Sequence, residues 1–224
     1  MKSPLARRID ALEKLYGGLR PSKTKDPFEI VLWENVAYLV DDHKRARAFA
    51  LLKKSVGLRP ADILAAPEES LWAVASFGIK PDLRVATLKR CAEIAAKEFD
   101  GDVRSALALP PKEAMRKLRK FPSIGEPGAE KILLFTRTHP LFALDSNGLR
   151  VLLRLGYGKE SKSYGASYRS VRETVSGEIV SDCDWLIRAH LLLKRHGQET
   201  CRRSAPTCEI CPVQDGCAFF DVAR

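Results

Sequence analysis

Seventeen residues near the end of the chain constrain it most. Cys201, Cys208, Cys211 and Cys217 form a C-x6-C-x2-C-x5-C run within the segment CRRSAPTCEICPVQDGC. Cysteines this close can meet at one point without a large fold to gather them, and the Cys208-x2-Cys211 pair turns two thiolates toward one metal corner. Thiolates in fours hold either tetrahedral zinc or an iron–sulfur cluster. Two disulfides are the competing use. A disulfide-stapled secreted protein spreads its cysteines along the chain, whereas Cys91 and Cys183 sit singly in helical patterns and read as small buried residues. The run therefore predicts a metal centre.

At 224 residues the chain has room for one large domain or two small ones, and 45% hydrophobic residues suffice for a core. Lys and Arg number 38 against 28 Asp and Glu, a formal charge of +10 that favours a polyanionic partner, nucleic acid before anionic membrane. No apolar run is long enough to span a bilayer. The start, MKSPLARRIDALEKL, carries charges throughout and no apolar signal core. With reduced cysteines, it points to a cytoplasmic, nucleoid-associated protein.

Apolar residues recur with a period of 3.6, and period-2 runs are nearly absent, so the fold class is all-α with ten or so helices. Helices are predicted over 4–16, from Pro27 through IVLWENVAYL, and over 42–55, 128–138, 146–155, 164–176 and 182–195. Segment 21–26 reads as a polar linker. Asp26 is the expected N-cap, with Pro27 in the first turn and Glu29 closing a capping box; Pro60, Pro67, Pro81 and Pro111 mark further helix starts.

A second motif lies mid-chain, in Lys120-Phe121-Pro122-Ser123-Ile124-Gly125-Glu126-Pro127-Gly128-Ala129. Pro122 stops one helix, Gly125 is expected to permit the turn, and Pro127 can open the next helix. Backbone N–H groups beside a helix N-terminus make an anion site suited to a DNA phosphate, without sequence preference. An ordinary helix–helix turn would look the same.

Together these motifs resemble the helix-hairpin-helix DNA glycosylases. FPSIGEPGA is similar to their hairpin, hydrophobic-Pro-Gly-hydrophobic-Gly followed three residues on by Ala. Leu144-Asp145-Ser146-Asn147, about twenty residues later, lies where that family carries its catalytic aspartate, and the cysteine run matches the [4Fe–4S] loop of its endonuclease III-like members. The resemblance covers about residues 26–217. It implies a six-helix domain over 25–137, with the helix-hairpin-helix at about 115–137. A discontinuous cluster domain, 1–24 plus 138–224, completes it, with DNA across the cleft between the two. It also implies a [4Fe–4S] cluster on Cys201, Cys208, Cys211 and Cys217, a structural role for it, and a monomer acting on double-stranded DNA with a damaged or mismatched base.

Breaking a base–sugar bond builds positive charge on the sugar, which a carboxylate stabilises, while a second acid protonates the leaving base. Asp145 matches the family aspartate, and it is also a natural N-cap for the helix opening at Ser146. Glu34 falls where the adenine-mismatch members place their catalytic glutamate, and it interrupts an apolar helix; exposure on the polar face beside Asn35 is the alternative. Bifunctional members carry a lysine in G-x-K-x-A that attacks the sugar and allows strand cleavage. Here Pro127 stands in that place, so water is the expected nucleophile and lyase activity is weak or absent. Lys131, one turn on along the same face, is the lysine that could substitute for it, but it is expected to solvate that face or bind phosphate.

Expected DNA contacts are the hairpin residues Ser123, Ile124, Gly125 and Gly128, with Lys120 before them, and Arg202 and Arg203 in the cysteine loop. Tyr38 and Leu39 are candidates to wedge into the duplex opened when a base flips out. Lys80 and Arg84 flank a further loop. The chain ends just after Cys217, which disfavours adenine opposite oxoguanine as substrate; uracil or thymine opposite guanine, or an oxidised or alkylated base, fit. A catalytically silent lesion-binding protein on the same scaffold is the alternative function.

Overall fold

The computed structural model describes residues 2–21 and 24–222. These residues form twelve α-helices and two short 3-10 helices, with no strand among them. They divide into two compact units, residues 1–22 with 140–224, and residues 23–139.

The first unit opens with α1 (Pro4–Tyr16), capped by the Ser3 side chain. The second unit holds α2 (Pro27–Asn35), α3 (Asp42–Ser55), α4 (Pro60–Ala65), α5 (Glu68–Ala75), α6 (Pro81–Phe99), α7 (Pro111–Leu118) and α8 (Glu126–Phe135). The first unit resumes with α9 (Ser146–Arg154), α10 (Tyr164–Val175), α11 (Cys183–Glu199) and α12 (Ala218–Val222).

In the second unit α6 is the central rod, and α2, α4 and α5 pack on it. Phe121, at the end of α7, is buried against Phe28 of α2 (ring centroids 6.3 Å) and stacked on Phe99 of α6 (5.5 Å). Burying three aromatic rings anchors the turn that follows Phe121. Asp26 caps α2 by accepting from the Phe28 and Glu29 N–H groups, but Glu29 closes no box: the Asp26 N–H donates to Thr24 Oγ1 at 3.3 Å. Ser22 and Lys23 of the expected 21–26 linker lie outside the described residues.

The α2 helix also stops earlier than its apolar run predicts. It ends at Asn35, and the chain bends through 36–39 to reach Leu39 at φ 52°. The Tyr38 carbonyl then accepts the Ile79 N–H at 3.2 Å, a bond unavailable to a residue inside a continuing helix. Helix α8 ends three residues before its expected boundary, with Arg137 at φ 59°, and α11 runs four residues beyond its own, because its buried face continues through Leu192, Leu193 and His196.

In the first unit α1 lies on α11 through Leu5, Ile9 and Leu12. Arg188 of α11 fastens it by pairing with Asp10 (3.0 Å) and Glu13 (2.7 Å). Helix α9 packs along α11, whose end leads into the cysteine loop.

Candidate active site and cysteine loop

The hairpin of the second unit is built around strain at Ser123. This residue has φ 62°, the left-handed region that favours glycine, and its side chain is exposed. Gly125 does not hold the turn, contrary to the sequence reading. Its φ is −84°, open to any residue, and an added Cβ would meet nothing nearer than Pro127 at 3.8 Å. Ile124 supports the turn from inside: it is 4% exposed and its N–H is spent on the Phe121 carbonyl at 3.2 Å, so it offers no surface to DNA. Gly128 packs against Ile124. Lys120 pairs with Glu98 on the surface.

Behind the hairpin, Asn35 is fully buried and its Nδ2 donates to the carbonyls of Val31 and Pro122, both at 3.0 Å, which ties the end of α2 to the turn. One residue earlier, Glu34 accepts from Lys131 Nζ at 2.6 Å and lies 3.8 Å from Arg45. The side chains of Glu34, Lys131 and Arg45 are each only 20–25% exposed. Lys131 is thus neither a solvated surface charge nor a free phosphate ligand, because α8 turns it onto α2. Glu34 is the anionic centre of this cluster, not an exposed group on a polar face.

Tyr38 and Leu39 form an exposed corner, with Leu39 71% exposed. Arg84 lies over the Tyr38 ring at 5.2 Å. Ile79, missed by the sequence reading, stands on a second loop joined to the first by its N–H bond to Tyr38. Gly78 allows that approach, since a Cβ there would lie 2.6 Å from the Tyr38 nitrogen. Lys80 follows at φ 55°, before Pro81. Two apolar tips, Leu39 and Ile79, are therefore held outward by stiff backbone. The only sequence signal for Ile79 was an apolar residue between Gly78 and Lys80-Pro81.

In the first unit Asp145 caps α9. Its Oδ1 accepts the Gly148 N–H at 2.8 Å and its Oδ2 accepts from Asn147 Nδ2 at 3.2 Å. Asn147 Oδ1 in turn accepts from Arg150, which also donates to the carbonyls of Gly197 (2.6 Å) and Cys201 (3.1 Å). A continuous polar chain thus joins the candidate carboxylate to the first cysteine. On its other side the Tyr168 hydroxyl accepts the Leu144 N–H at 3.3 Å, and Tyr164 stacks on Tyr168. Burial, and next the nearby Asp145 charge, push the Tyr164 phenol up to about 12. Tyr164 is a neighbour of Asp145 that sequence spacing did not disclose.

None of the six cysteines is paired in a disulfide. Cys201, Cys208, Cys211 and Cys217 line a single cavity closed by Val151, Leu155 and Phe220. Burial and then the charges of neighbouring cysteines push the Cys208 thiol up, and burial raises Cys211 likewise. Thiolates this crowded need a cationic group among them. N–H donors already face two of the sulfurs: Arg154 reaches Cys201 Sγ at 3.4 Å, and His196 Nε2 lies 3.5 Å from Cys211 Sγ. Gln214, on the same cavity, has a buried Oε1 with no partner. This donor set fits an iron–sulfur cluster. Among the described residues no three His, Cys, Asp or Glu side chains converge as on one ion. Burial holds the His196 imidazole down to about 4. Arg154 also binds the carbonyls of Arg202 and Arg203, leaving both of those side chains exposed.

No family-wide sequence profile matches the chain. Endonuclease III of Rickettsia conorii is 30% identical over 107 residues, 47% of each chain. A trapped endonuclease III–DNA covalent intermediate superposes with a TM-score of 0.74 at 19% identity, over 97% of this chain and 95% of that one. The chain has the endonuclease III fold and is similar in sequence to endonuclease III over about half of its length. A thermostable thymine-DNA glycosylase shares the fold equally, with a TM-score of 0.75 at 16% identity over 97% of both chains. The chain spans about half the length of the curated relatives it matches first.

Proposed function

We propose that this chain is a DNA N-glycosylase of base excision repair, a hydrolase that removes a damaged or mismatched base from duplex DNA with weak or no AP-lyase activity. The observation that carries the reading is Asp145. It is fixed at the first turn of α9 by Gly148 and Asn147, and the resemblance of Leu144-Asp145-Ser146-Asn147 to the family motif supports the catalytic reading. A carboxylate so held cannot swing away as the sugar gains positive charge, and it can orient the attacking water. Glu34 serves the base side, in the state in which its link to Lys131 opens and it can carry a proton to the leaving base.

The hairpin takes a DNA phosphate. Supporting this are the exposed Ser123 and Gly125 and the N-terminus of α8. Gly125 has no conformational need to be glycine, which fits a close approach by a partner's backbone. Pro127 leaves this cradle one N–H fewer and supplies no amine to attack the sugar. Leu39 and Ile79 fill the space left by the flipped base, and Arg202 and Arg203 meet the phosphates. Cys201, Cys208, Cys211 and Cys217 would hold a [4Fe–4S] cluster, which would supply a rigid staple for the loop that bears these arginines. The protein acts as a monomer inside the cell.

Excision on duplexes each carrying one modified or mismatched base, read with and without hot alkali, tests the proposal. Product seen only after alkali is expected. Cleavage without alkali would overturn the monofunctional assignment, and tight binding with no product on any duplex would favour a catalytically silent lesion-binding protein.

A further inference from the structure

Four groups form a directed hydrogen-bond chain that ends on a cysteine sulfur. Tyr16, the last residue of α1, has its hydroxyl 2.7 Å from Thr200 Oγ1 and 3.0 Å from His196 Nδ1. His196 Nε2 lies 3.5 Å from Cys211 Sγ. His196 is 1% exposed and Thr200 5% exposed, while Tyr16 is half-buried, so water is kept from the histidine end of the chain.

The protons are assigned from the network. A thiolate only accepts, so Nε2 carries a hydrogen and donates to it. Nδ1 of that neutral tautomer is an acceptor and takes the Tyr16 hydrogen. The Tyr16 oxygen then accepts from the Thr200 hydroxyl. Each donor in Thr200, Tyr16, His196 has one acceptor, and the polarity of every bond runs toward the sulfur. Where its terminal donor is buried, as His196 is, such a chain strengthens its last bond.

We infer that Thr200, Tyr16 and His196 set the reduction potential of the group held by Cys211, with Tyr16 fixing the His196 tautomer so that an N–H always faces the sulfur. The inference rests on the cluster reading given above. Hydrogen bonds to a cluster sulfur stabilise the more negative, reduced state and raise the potential. Tyr16 and His196 are thus positioning residues, and α1 takes part in tuning a centre 180 or more residues away in the chain.

The test uses the full chain purified with its metal, characterised by iron, sulfide and zinc content, visible absorbance and protein-film voltammetry. His196→Leu and Tyr16→Phe are expected to keep full iron content and shift the midpoint potential downward, the histidine variant more. His196→Gln, which can return an N–H to the same place, is expected to recover most of the shift. If His196→Leu fails to fold, Tyr16→Phe decides alone, since it removes one oxygen and keeps the ring. Unchanged potentials with full iron in all variants would overturn the proposal while leaving the cluster reading intact. Zinc without iron in the unaltered protein would overturn both.

Discussion

Lys131 Nζ sits 2.6 Å from Glu34 Oε1, joining α8 to α2 across 97 residues of sequence, with Arg45 as a second cation at 3.8 Å. The pair is about one quarter exposed or less, so it is worth more than a surface pair and less than a fully buried one. Lys131→Met removes the nearer of these two cations from Glu34 and is expected to cost about 1–2 kcal/mol, read by urea melts. Adding Glu34→Gln to it is expected to return part of that loss. A single variant as stable as the parent would show the pair to be idle.

Pro127 stands at the second position of α8, where a lysine would put an amine in place of a ring that has no N–H. In Pro127→Lys, borohydride is expected to trap a covalent protein–DNA adduct that the unaltered chain does not give. Trapping by both would show that another lysine, Lys131 first, supplies the amine. Trapping by neither would dissociate this position from the lyase lysine of relatives.

The all-α class was legible because helix punctuation in this chain is strong. Asp26, Asp145 and Ser163 cap helices as their types suggest, and Pro60, Pro81 and Pro111 each open one. The pieces that escaped depend on contacts distant in sequence. The end of α2 is set by a bond from Ile79 to Tyr38, and the burial of Lys131 by Glu34 on another helix. The turn residue was misjudged for a different reason: glycine draws attention by its type, yet the left-handed conformation fell on Ser123, two residues earlier. That the four cysteines line one cavity was readable because their spacing is local, whereas its surroundings, Tyr16 and His196, come from two helices that sequence alone does not bring together.

Ser123 bears the conformational cost of the hairpin. A residue with a Cβ in the left-handed region costs about 1 kcal/mol, more when β-branched. Ser123→Gly is expected to melt no lower than the parent and to keep DNA affinity, since the backbone donors stay in place. Ser123→Val is expected to lose about 1–2 kcal/mol and to weaken binding as the turn distorts. If valine is tolerated on both counts, φ 62° is not maintained in solution.

Asp145 has two separable duties, and two substitutions part them. As an N-cap it accepts the Gly148 N–H at 2.8 Å, a role that asparagine also fills, so Asp145→Asn is expected to stay within about 1 kcal/mol of the parent in stability. As the charge that faces the sugar in the proposed reaction it has no neutral substitute, so the same variant is expected to lose about 10²–10⁴-fold in excision rate at unchanged DNA affinity. Asp145→Ala removes both and is expected to lose a further ~1 kcal/mol of stability. Single-turnover excision and denaturant melts on the two variants check this. Full excision by Asp145→Asn would mean that the carboxylate only caps α9 and that the charge stabilising the sugar comes from another residue.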